Sequence, residues 1–320
     1  MSNYRPILLL SVFNFLENHQ IVFDKQFGFR SKHNTDHAIL SIVDKIQNSI
    51  EGREYSCRVF LDFSKAFDTL NHKILFMILN GIRGIANEWF RSHLDTRQQI
   101  VTVNGVLSAM CSTSCGIPRG SVLGPLLFLL FINDFHNSSK LFEFHLFAED
   151  ANLFYEHKSL QQLQENINYE LIYIHTWHCA SKLSLNIEKS NLILFHPPLK
   201  KLQDSFNLKL CNKQLKREYC VKYLGILIDS HLNWKKQVEL IFVGKKNRRN
   251  IGILCKLRHV DLIILVKLCY ALIYPFLTYG ILIWGNTYEA TLKPPFILQC
   301  ASSHFLNWIV ILVHHLKPLD

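Results

Sequence analysis

The sequence predicts an α+β protein, and three observations point to that class. Segments with apolar residues at three-and-four spacing occur among short apolar runs of strand length. The two kinds of segment mix without the regular strand–helix–strand rhythm of a parallel sheet. Hydrophobic residues make up 49% of the 320-residue chain, enough for one large core or two modest ones. Aromatics are plentiful and low-complexity tracts are absent, which excludes a disordered composition.

The elements can be justified in order. Residues 7–15 are apolar but lack the basic flank and small-residue cleavage site of a signal peptide. Residues 36–50 predict an amphipathic helix with Ile39, Ile42, Val43, Ile46 and Ile50 on one face. Residues 57–61 are an apolar run ending at Asp62, suited to a buried strand, and a helix is expected over 65–70. Residues 98–103 predict a strand leading into Asn104-Gly105, a strong turn signal. An apolar helix is expected over 122–135, after the break at 118–120. Residues 142–147 and 152–155 predict two strands around a tight acidic turn. The clearest helix is 160–183, with Leu160, Leu163, Ile167, Leu171 and Ile174 in register. A strand over 192–195 is closed by Pro197-Pro198, and 221–228, with Gly225 inside, predicts a strand or hairpin arm. From Trp234 the pattern is helical and the surface basic, so a domain boundary is expected near Ser230.

The formal charge of +10 argues for an anionic partner, nucleic acid first and an anionic membrane surface second. Nine cysteines are scattered without a C-x-x-C pair, the closest being Cys111 and Cys115. The expectation is reduced thiols in an intracellular protein, with neither a zinc site nor a disulfide framework. Residues 262–284 approach the ~20 apolar residues that span a bilayer. Lys267, Pro275 and Gly280 interrupt them, so a buried helix or helix pair broken near Pro275 is expected, with no stable membrane association.

Three motifs carry the chemistry. Asp62 ends an apolar strand within VFLDFSKAFDTLNH (59–72), where a carboxylate can be held rigidly; aspartates also end strands and cap helices for structural reasons. FAEDANLF (147–154) places Glu149 and Asp150 side by side in a turn. Like charges repel there, so the turn is either solvated or holds a cation. GIPRGSVLGP (116–125) combines glycines that allow close backbone approach with prolines that fix a loop.

In this order and at these intervals the motifs resemble the reverse-transcriptase domain of non-LTR, LINE-like retrotransposons. NYRP (3–6) and QFGFR (26–30) resemble its opening blocks, LDFSKAFD its first catalytic motif, and GIPRGSVLGP its template-and-nucleotide loop. FAEDANLF resembles the catalytic turn, KLSLNIEKS (182–190) the next block, and KYLGILID (222–229) the primer-grip block. The resemblance covers most of residues 3–290.

The resemblance implies a right-hand polymerase fold. Fingers and an antiparallel-sheet palm would occupy residues 1–230, a basic helical thumb-like region 231–299, and a divergent tail 300–320. It implies RNA-templated DNA synthesis on an RNA template and DNA primer from deoxynucleoside triphosphates. Asp62, Glu149 and Asp150 would hold two Mg²⁺ ions about 4 Å apart, with Mn²⁺ as a substitute. Hard oxygen ligands suit magnesium. Phe67 would exclude a ribose 2′-hydroxyl, or else is a core aromatic. Arg30 would contact the triphosphate, or else is a surface arginine. Gly116 and Gly120 would line the nucleotide and template path, and Lys189 would sit near the leaving pyrophosphate, or else is a solvated loop lysine. Tyr223, Leu224 and Gly225 would hold the primer end, while Asp68 is a structural partner. Residues 235–258 hold eight Lys/Arg against one acid, Glu239, as a solvated face or a phosphate-tracking one. The compartment would be nuclear or cytoplasmic.

Three departures from the family pattern stand out. Glu149 replaces the first of two aspartates, moving a carboxylate one methylene outward. Arg119 stands where the family has Gln. The chain is tightened around Val12 to Leu16 and at Asn80-Gly81, and after Gln299 it diverges. These departures suggest a decayed copy of a mobile element; with no endonuclease domain before Asn3 and no zinc-knuckle spacing after, autonomous transposition is not expected. The alternative to a working polymerase is an inactive remnant that only binds nucleic acid.

Overall fold

The computed structural model describes residues 5–287 except 80, 83, 96, 118, 119, 122, 198–205, 244 and 258. Asn80, Arg119, residues 3–4 and the tail 300–320 therefore lie outside the described residues. Packing divides the chain into two compact units, one of residues 1–38 and 44–218, the other of 39–43 and 219–320.

The first unit is organised by a five-stranded sheet. Its strands are β1 (Tyr55–Asp62), β6 (Glu143–Phe147), β7 (Asp150–His157), β8 (Asn191–Phe195) and β11 (Lys216–Arg217), in the order β11-β8-β1-β7-β6. The four longer strands pair antiparallel, and β11 joins β8 in parallel. The period-two alternation sorts the two faces. One face carries Cys57, Val59, Leu61, Phe144, Leu146, Ala151, Leu153, Leu192 and Leu194, all within the main hydrophobic core. Helices α6 (Leu123–Ile132) and α7 (Leu160–Ser181) contribute to that core through Leu126, Leu127, Phe128, Leu163, Ile167, Leu171 and Ile174.

The other face is more polar. Arg58, His145 and Asn152 are fully buried on it. The Arg58 guanidinium donates to Asn152 Oδ1 and lies 4.4 Å over the Phe154 ring. Glu143 accepts from Lys25, from Lys45 at 2.9 Å and from His145 at 3.0 Å. Burial works against the Glu143 charge, but these donors outweigh it and hold the carboxyl well below its usual range. Burial pushes the His145 imidazole down to about 4, so it is neutral near pH 7.

Several expected elements form as read. α2 (Thr35–Glu51) is capped by Asn34 and buries Ile39, Ile42, Val43 and Ile46. α7 ends at Lys182 in the left-handed region. Asn104 and Gly105, both at positive φ, turn the hairpin of β3 (Thr102–Val103) and β4 (Val106–Leu107).

Others differ. The strand expected over 98–103 divides into β2 (Gln98–Gln99), which pairs β5 (Cys111–Ser112), and β3, which pairs β4. Ile100 and Val101 between them are exposed, so no burial holds one continuous strand together. The helix after Asp62 shortens to α3 (Ala66–Thr69), because Lys65 enters it in a left-handed conformation. α1 (Arg5–Asn18), α4 (His72–Leu79), α5 (Ile85–Leu94) and the hairpin of β9 (Lys209–Leu210) and β10 (Lys213–Gln214) complete this unit.

The second unit begins with the hairpin of β12 (Cys220–Tyr223) and β13 (Ile226–Asp229). Leu224 and Gly225 form its two-residue turn at φ +44° and +87°, the double positive φ of tight hairpins. Asp229 then accepts from the backbone N–H groups of His231, Asn233 and Trp234, leading into α8 (Lys235–Val243) and α9 (Lys245–Lys256). The apolar stretch 262–284 breaks into α10 (Leu262–Leu272), α11 (Tyr274–Thr278) and α12 (Ile281–Trp284), with the break beside Pro275. The expected burial is only partial. Ile263, Tyr270 and Leu282 are exposed, while Leu265, Cys269 and Trp284 are buried. No helix among the described residues is long and apolar enough to cross a membrane.

Candidate active site

The register of the central strands builds the site. β1 and β7 run antiparallel with Asp62 directly opposite Asp150, the last pair of the ladder. On the other side β6 and β7 close in a two-residue turn, Ala148-Glu149, because Phe147 pairs with Asp150. The three acids are thus gathered at one end of the sheet by two short pairings, with no long loop to order.

The turn is conformationally costly. Ala148 sits at φ +51°, a region that normally favours glycine. Its support comes from a segment far away in sequence. Leu146 donates to Lys25 O and Phe27 donates to Leu146 O, each at 2.8 Å. Gln26, 2% exposed, accepts through Oε1 from the N–H of Ala148 at 3.0 Å and of Gly28 at 2.9 Å. Gly28 lies so close that a Cβ there would stand 2.3 Å from Ala148 N. The Gln26–Gly28 backbone is therefore moulded to the acid turn.

A second segment flanks Asp62. Asn186 donates to Asp62 O at 2.8 Å, Ser64 donates to Ser184 O at 2.7 Å, and Asp62 N–H reaches Ser190 Oγ at 3.3 Å. The 182–190 block is thereby tied along the end of β1. Between this block, the turn and α6 opens a cavity of about 770 Å³. Asp62, Glu149, Phe67, Gly120, Lys189 and Asn186 all line it, together with Ser64 and Lys65.

The electrostatics follow from this crowding. Burial, then the charges of Glu149 and Asp62, push the Asp150 carboxyl up to about 6. That is what a carboxylate set costs when no cation balances it. The donors are hard oxygens, which fit Mg²⁺ or Mn²⁺ and not a soft metal. Among the described residues, the one trio of possible ligands converging within 4.8 Å lies elsewhere, at His175, His178 and Cys179.

The site residues expected from sequence divide into three groups. Asp62, Glu149, Asp150, Phe67, Gly120 and Lys189 come together at the end of β1 and its cavity. Phe67 also packs on Phe128, with ring centroids 4.8 Å apart, so it is both a cavity wall and a core contact. Arg30 and Gly116 are placed differently. Arg30 forks onto both Glu17 oxygens at 2.9 and 3.1 Å and donates to Phe23 O at 3.0 Å, with its side chain 8% exposed. A guanidinium so occupied braces the segment that leads into Gln26–Gly28. Gly116 does not line the cavity; it packs on Asp68, whose carbonyl oxygen a Cβ would meet at 2.7 Å, and its own carbonyl accepts from His72. Tyr223, Leu224 and Gly225 belong to the second unit, where the Tyr279 hydroxyl donates to Leu224 O.

Gln26 and Asn186 were not singled out from sequence. Both stand inside segments that were, QFGFR and KLSLNIEKS, but their contacts span 122 residues in the first case and cross strands in the second.

Comparison with known proteins follows the same residues. A family described as "Reverse transcriptase (RNA-dependent DNA polymerase)" matches residues 1–228. The chain is 25% identical over 322 residues to "Probable RNA-directed DNA polymerase from transposon X-element" of Drosophila melanogaster, covering 91% of this chain and 34% of that protein. It is 24% identical over 297 residues to "RNA-directed DNA polymerase from mobile element jockey" of the same species, covering 86% and 31%. The chain thus spans about a third of the length of these relatives. Among solved structures, telomerase from Candida albicans in complex with a fragment of telomeric RNA superposes with a TM-score of 0.52 at 11% identity. That match covers 100% of this chain and 60% of that one, and it speaks to the fold alone.

Proposed function

The chain belongs to the reverse transcriptase (RNA-dependent DNA polymerase) family, and from that premise we propose that it carries out RNA-templated DNA synthesis by two-metal nucleotidyl transfer. The observation that carries the reading is the β1–β7 register, which opposes Asp62 to Asp150 with Glu149 in the adjoining turn. The partners are an RNA template, a DNA primer and deoxynucleoside triphosphates. Residues 1–230 act as fingers and palm and 231–299 as a basic thumb-like region; the protein works inside the cell.

Asp62, Glu149 and Asp150 would hold Mg²⁺, or Mn²⁺ in its place, and a bound pair of ions would supply Lewis-acid activation of the primer 3′-hydroxyl and charge neutralisation at the leaving oxygens. The residues of the chain do the rest. Phe67 walls the cavity where the sugar of an incoming nucleotide would lie and excludes a 2′-hydroxyl by bulk. Lys189 balances negative charge at the leaving pyrophosphate. Gly120, at φ +76° with open space around it, lets template and nucleotide pass close to the backbone. The hairpin turn Tyr223-Leu224-Gly225 holds the primer end.

A second reading, a remnant that binds nucleic acid without synthesis, is favoured by one observation. Glu149 carries its carboxylate one methylene further out than aspartate does, and about 1 Å of displacement in such a site costs on the order of 10²-fold in rate. Primer extension on an RNA template, in Mg²⁺ and in Mn²⁺, separates the two. Weak synthesis that rises in Glu149→Asp and vanishes in Asp62→Asn supports the polymerase. Retained primer–template binding with no extension by either the wild type or Glu149→Asp supports the remnant.

A further inference from the structure

The last turns of α7 carry His-Thr-Trp-His-Cys, 175–179. Positions i, i+3 and i+4 of a helix share one face, and here they bring His175, His178 and Cys179 to within 4.8 Å of one another. A fourth group arrives from the β9–β10 hairpin. Cys211 is the first residue of its two-residue turn, with Cys211 and Asn212 at φ +51° and +61°. Its Sγ lies 2.9 Å from His175 Nδ1 and 3.6 Å from His178 Nε2. Cys179 Sγ lies 3.8 Å from both of those ring nitrogens.

We propose that His175, His178, Cys179 and Cys211 form a structural Zn²⁺ site that ties the end of α7 to the β9–β10 hairpin. The ligand chemistry selects the metal: two thiolates and two imidazoles are a soft-to-borderline set that zinc binds tetrahedrally. Zinc–sulfur and zinc–nitrogen bonds of about 2.3 and 2.05 Å at the tetrahedral angle put sulfur and nitrogen about 3.6 Å apart. Three of the four sulfur–nitrogen separations, 3.6, 3.8 and 3.8 Å, match that edge. The fourth, 2.9 Å, asks a small outward rotation of Cys211. A thiol–imidazole hydrogen bond accounts for that short contact alone, and leaves the second thiol and second ring unexplained.

Two further features prepare the site. His178 Nδ1 lies 2.8 Å from Leu183 O, so that nitrogen carries the proton and Nε2 presents its lone pair to both sulfurs. Metal-bound histidines are commonly oriented this way by a backbone carbonyl. The hairpin is also docked on the same helix independently of the cysteine. Asn168 accepts from Lys209 N–H at 2.9 Å, and Gln164 accepts from Asn207 N–H at 2.9 Å. Binding releases thiol protons and holds the helix end from which residues 182–190 run on to Asp62. The spacing rules applied to the sequence look for paired cysteines. They overlook this set because its second cysteine is supplied by a distant hairpin.

The test uses the full chain, reduced and stripped by a chelator, with excess Mg²⁺ present so that the acids are not the readout. Co²⁺ is expected to bind one equivalent with the intense visible absorption of tetrahedral, thiolate-bound cobalt, and Zn²⁺ to displace it stoichiometrically. Chelation is expected to lower the melting temperature. Cys179→Ser, at an exposed position that tolerates the change, and Cys211→Ser each weaken Zn²⁺ binding roughly tenfold or more and weaken the thiolate absorption, while Asp62→Asn leaves both intact. A pale octahedral spectrum, wild-type Zn²⁺ affinity retained in both serine variants, or a Cys179–Cys211 disulfide in protein prepared under reducing conditions overturns the site.

Discussion

Gly28→Ala offers the sharpest test of how the acid turn is held. The added Cβ would stand 2.3 Å from Ala148 N and 3.0 Å from Phe147 C. Ordinary contact begins near 3.4 Å, so one of two backbones must move by about 1 Å. Neither is free to do so cheaply. The Gln26–Gly28 segment is fixed by the Lys25–Leu146–Phe27 bonds and by the Gln26 side chain, and the turn by the β6–β7 ladder. Overpacking of this kind typically costs about 1–3 kcal/mol, and a 1 Å displacement of Glu149 or Asp150 lowers turnover on the order of 10²-fold. Gly28 is not at positive φ, so the penalty is steric and alanine itself is otherwise tolerated. Gly252→Ala is the control, since it sits in α9 with nothing among the described residues within 4 Å of the added carbon. Thermal melting reports the packing cost, and primer extension, run in the Glu149→Asp background if the wild type is slow, reports the displacement. A Gly28→Ala protein that melts and extends like Gly252→Ala would show that the opening segment does not position the turn.

Gln26→Ala removes the acceptor for two buried N–H groups, Gly28 and Ala148. At about 1–3 kcal/mol for each unsatisfied donor, denaturant unfolding should show a loss of roughly 2–6 kcal/mol. Asp150→Asn should stabilise the metal-free protein. The folded carboxyl titrates near 6, above its ordinary 3.8, so its penalty is absent below pH 4 and complete above pH 6. Two units would correspond to about 3 kcal/mol at a dry site. Solvent at this partly exposed carboxyl reduces that to about 1 kcal/mol. The melting-temperature gain should therefore be present at pH 7 and gone at pH 4; a gain independent of pH would rule out charge as its cause. Lys235 and Lys236, both exposed at the start of α8, should each contribute to primer–template binding. Replacing both by Ala should reduce the slope of log affinity against log salt by about 2, and an unchanged slope would remove them from the contact surface.

What the sequence disclosed, and what it withheld, has a common physical origin. Local periodicity and turn chemistry act over a few residues, and they delimited α2, α7, the acid hairpin and the Asn104-Gly105 turn. The register that opposes Asp62 to Asp150 is long-range and was not legible; only the grouping of Asp62 with Glu149 and Asp150 was expected, from the resemblance of the ordered motifs to a known family. The partners of the Arg30 side chain were not legible either. A motif position says nothing about whether local acceptors, here Glu17 and the 23–26 carbonyls, already occupy the guanidinium. The strand expected over 98–103 failed because its apolar residues have nothing to pack against, and alternation alone does not make a buried face. Cys211 beside His175 and His178 could not be read from spacing, since hairpin docking decides it.

The way the acid turn is built bears on Glu149 directly. Ala148 at positive φ, an Asp150 carboxyl pushed up toward neutrality, and a buried glutamine spent on two turn amides are each locally unfavourable or specialised. Strain and charge repulsion concentrated at one place persist only where surrounding structure over-determines them, and they mark functional sites. Relieving any of them would be easy by sequence change: glycine for Ala148, an amide for Asp150. They stand together beside the 770 Å³ cavity that Asp62 and Glu149 line. Glu149 departs from this pattern without relaxing it, since it keeps the charge that raises Asp150 while moving its own carboxylate outward. On the proposed reading the turn is braced for catalysis, with one of its three carboxylates displaced by a methylene. Glu149→Asp then isolates that single displacement: the backbone, the brace and the net charge all stay the same, and only the reach of one carboxylate changes.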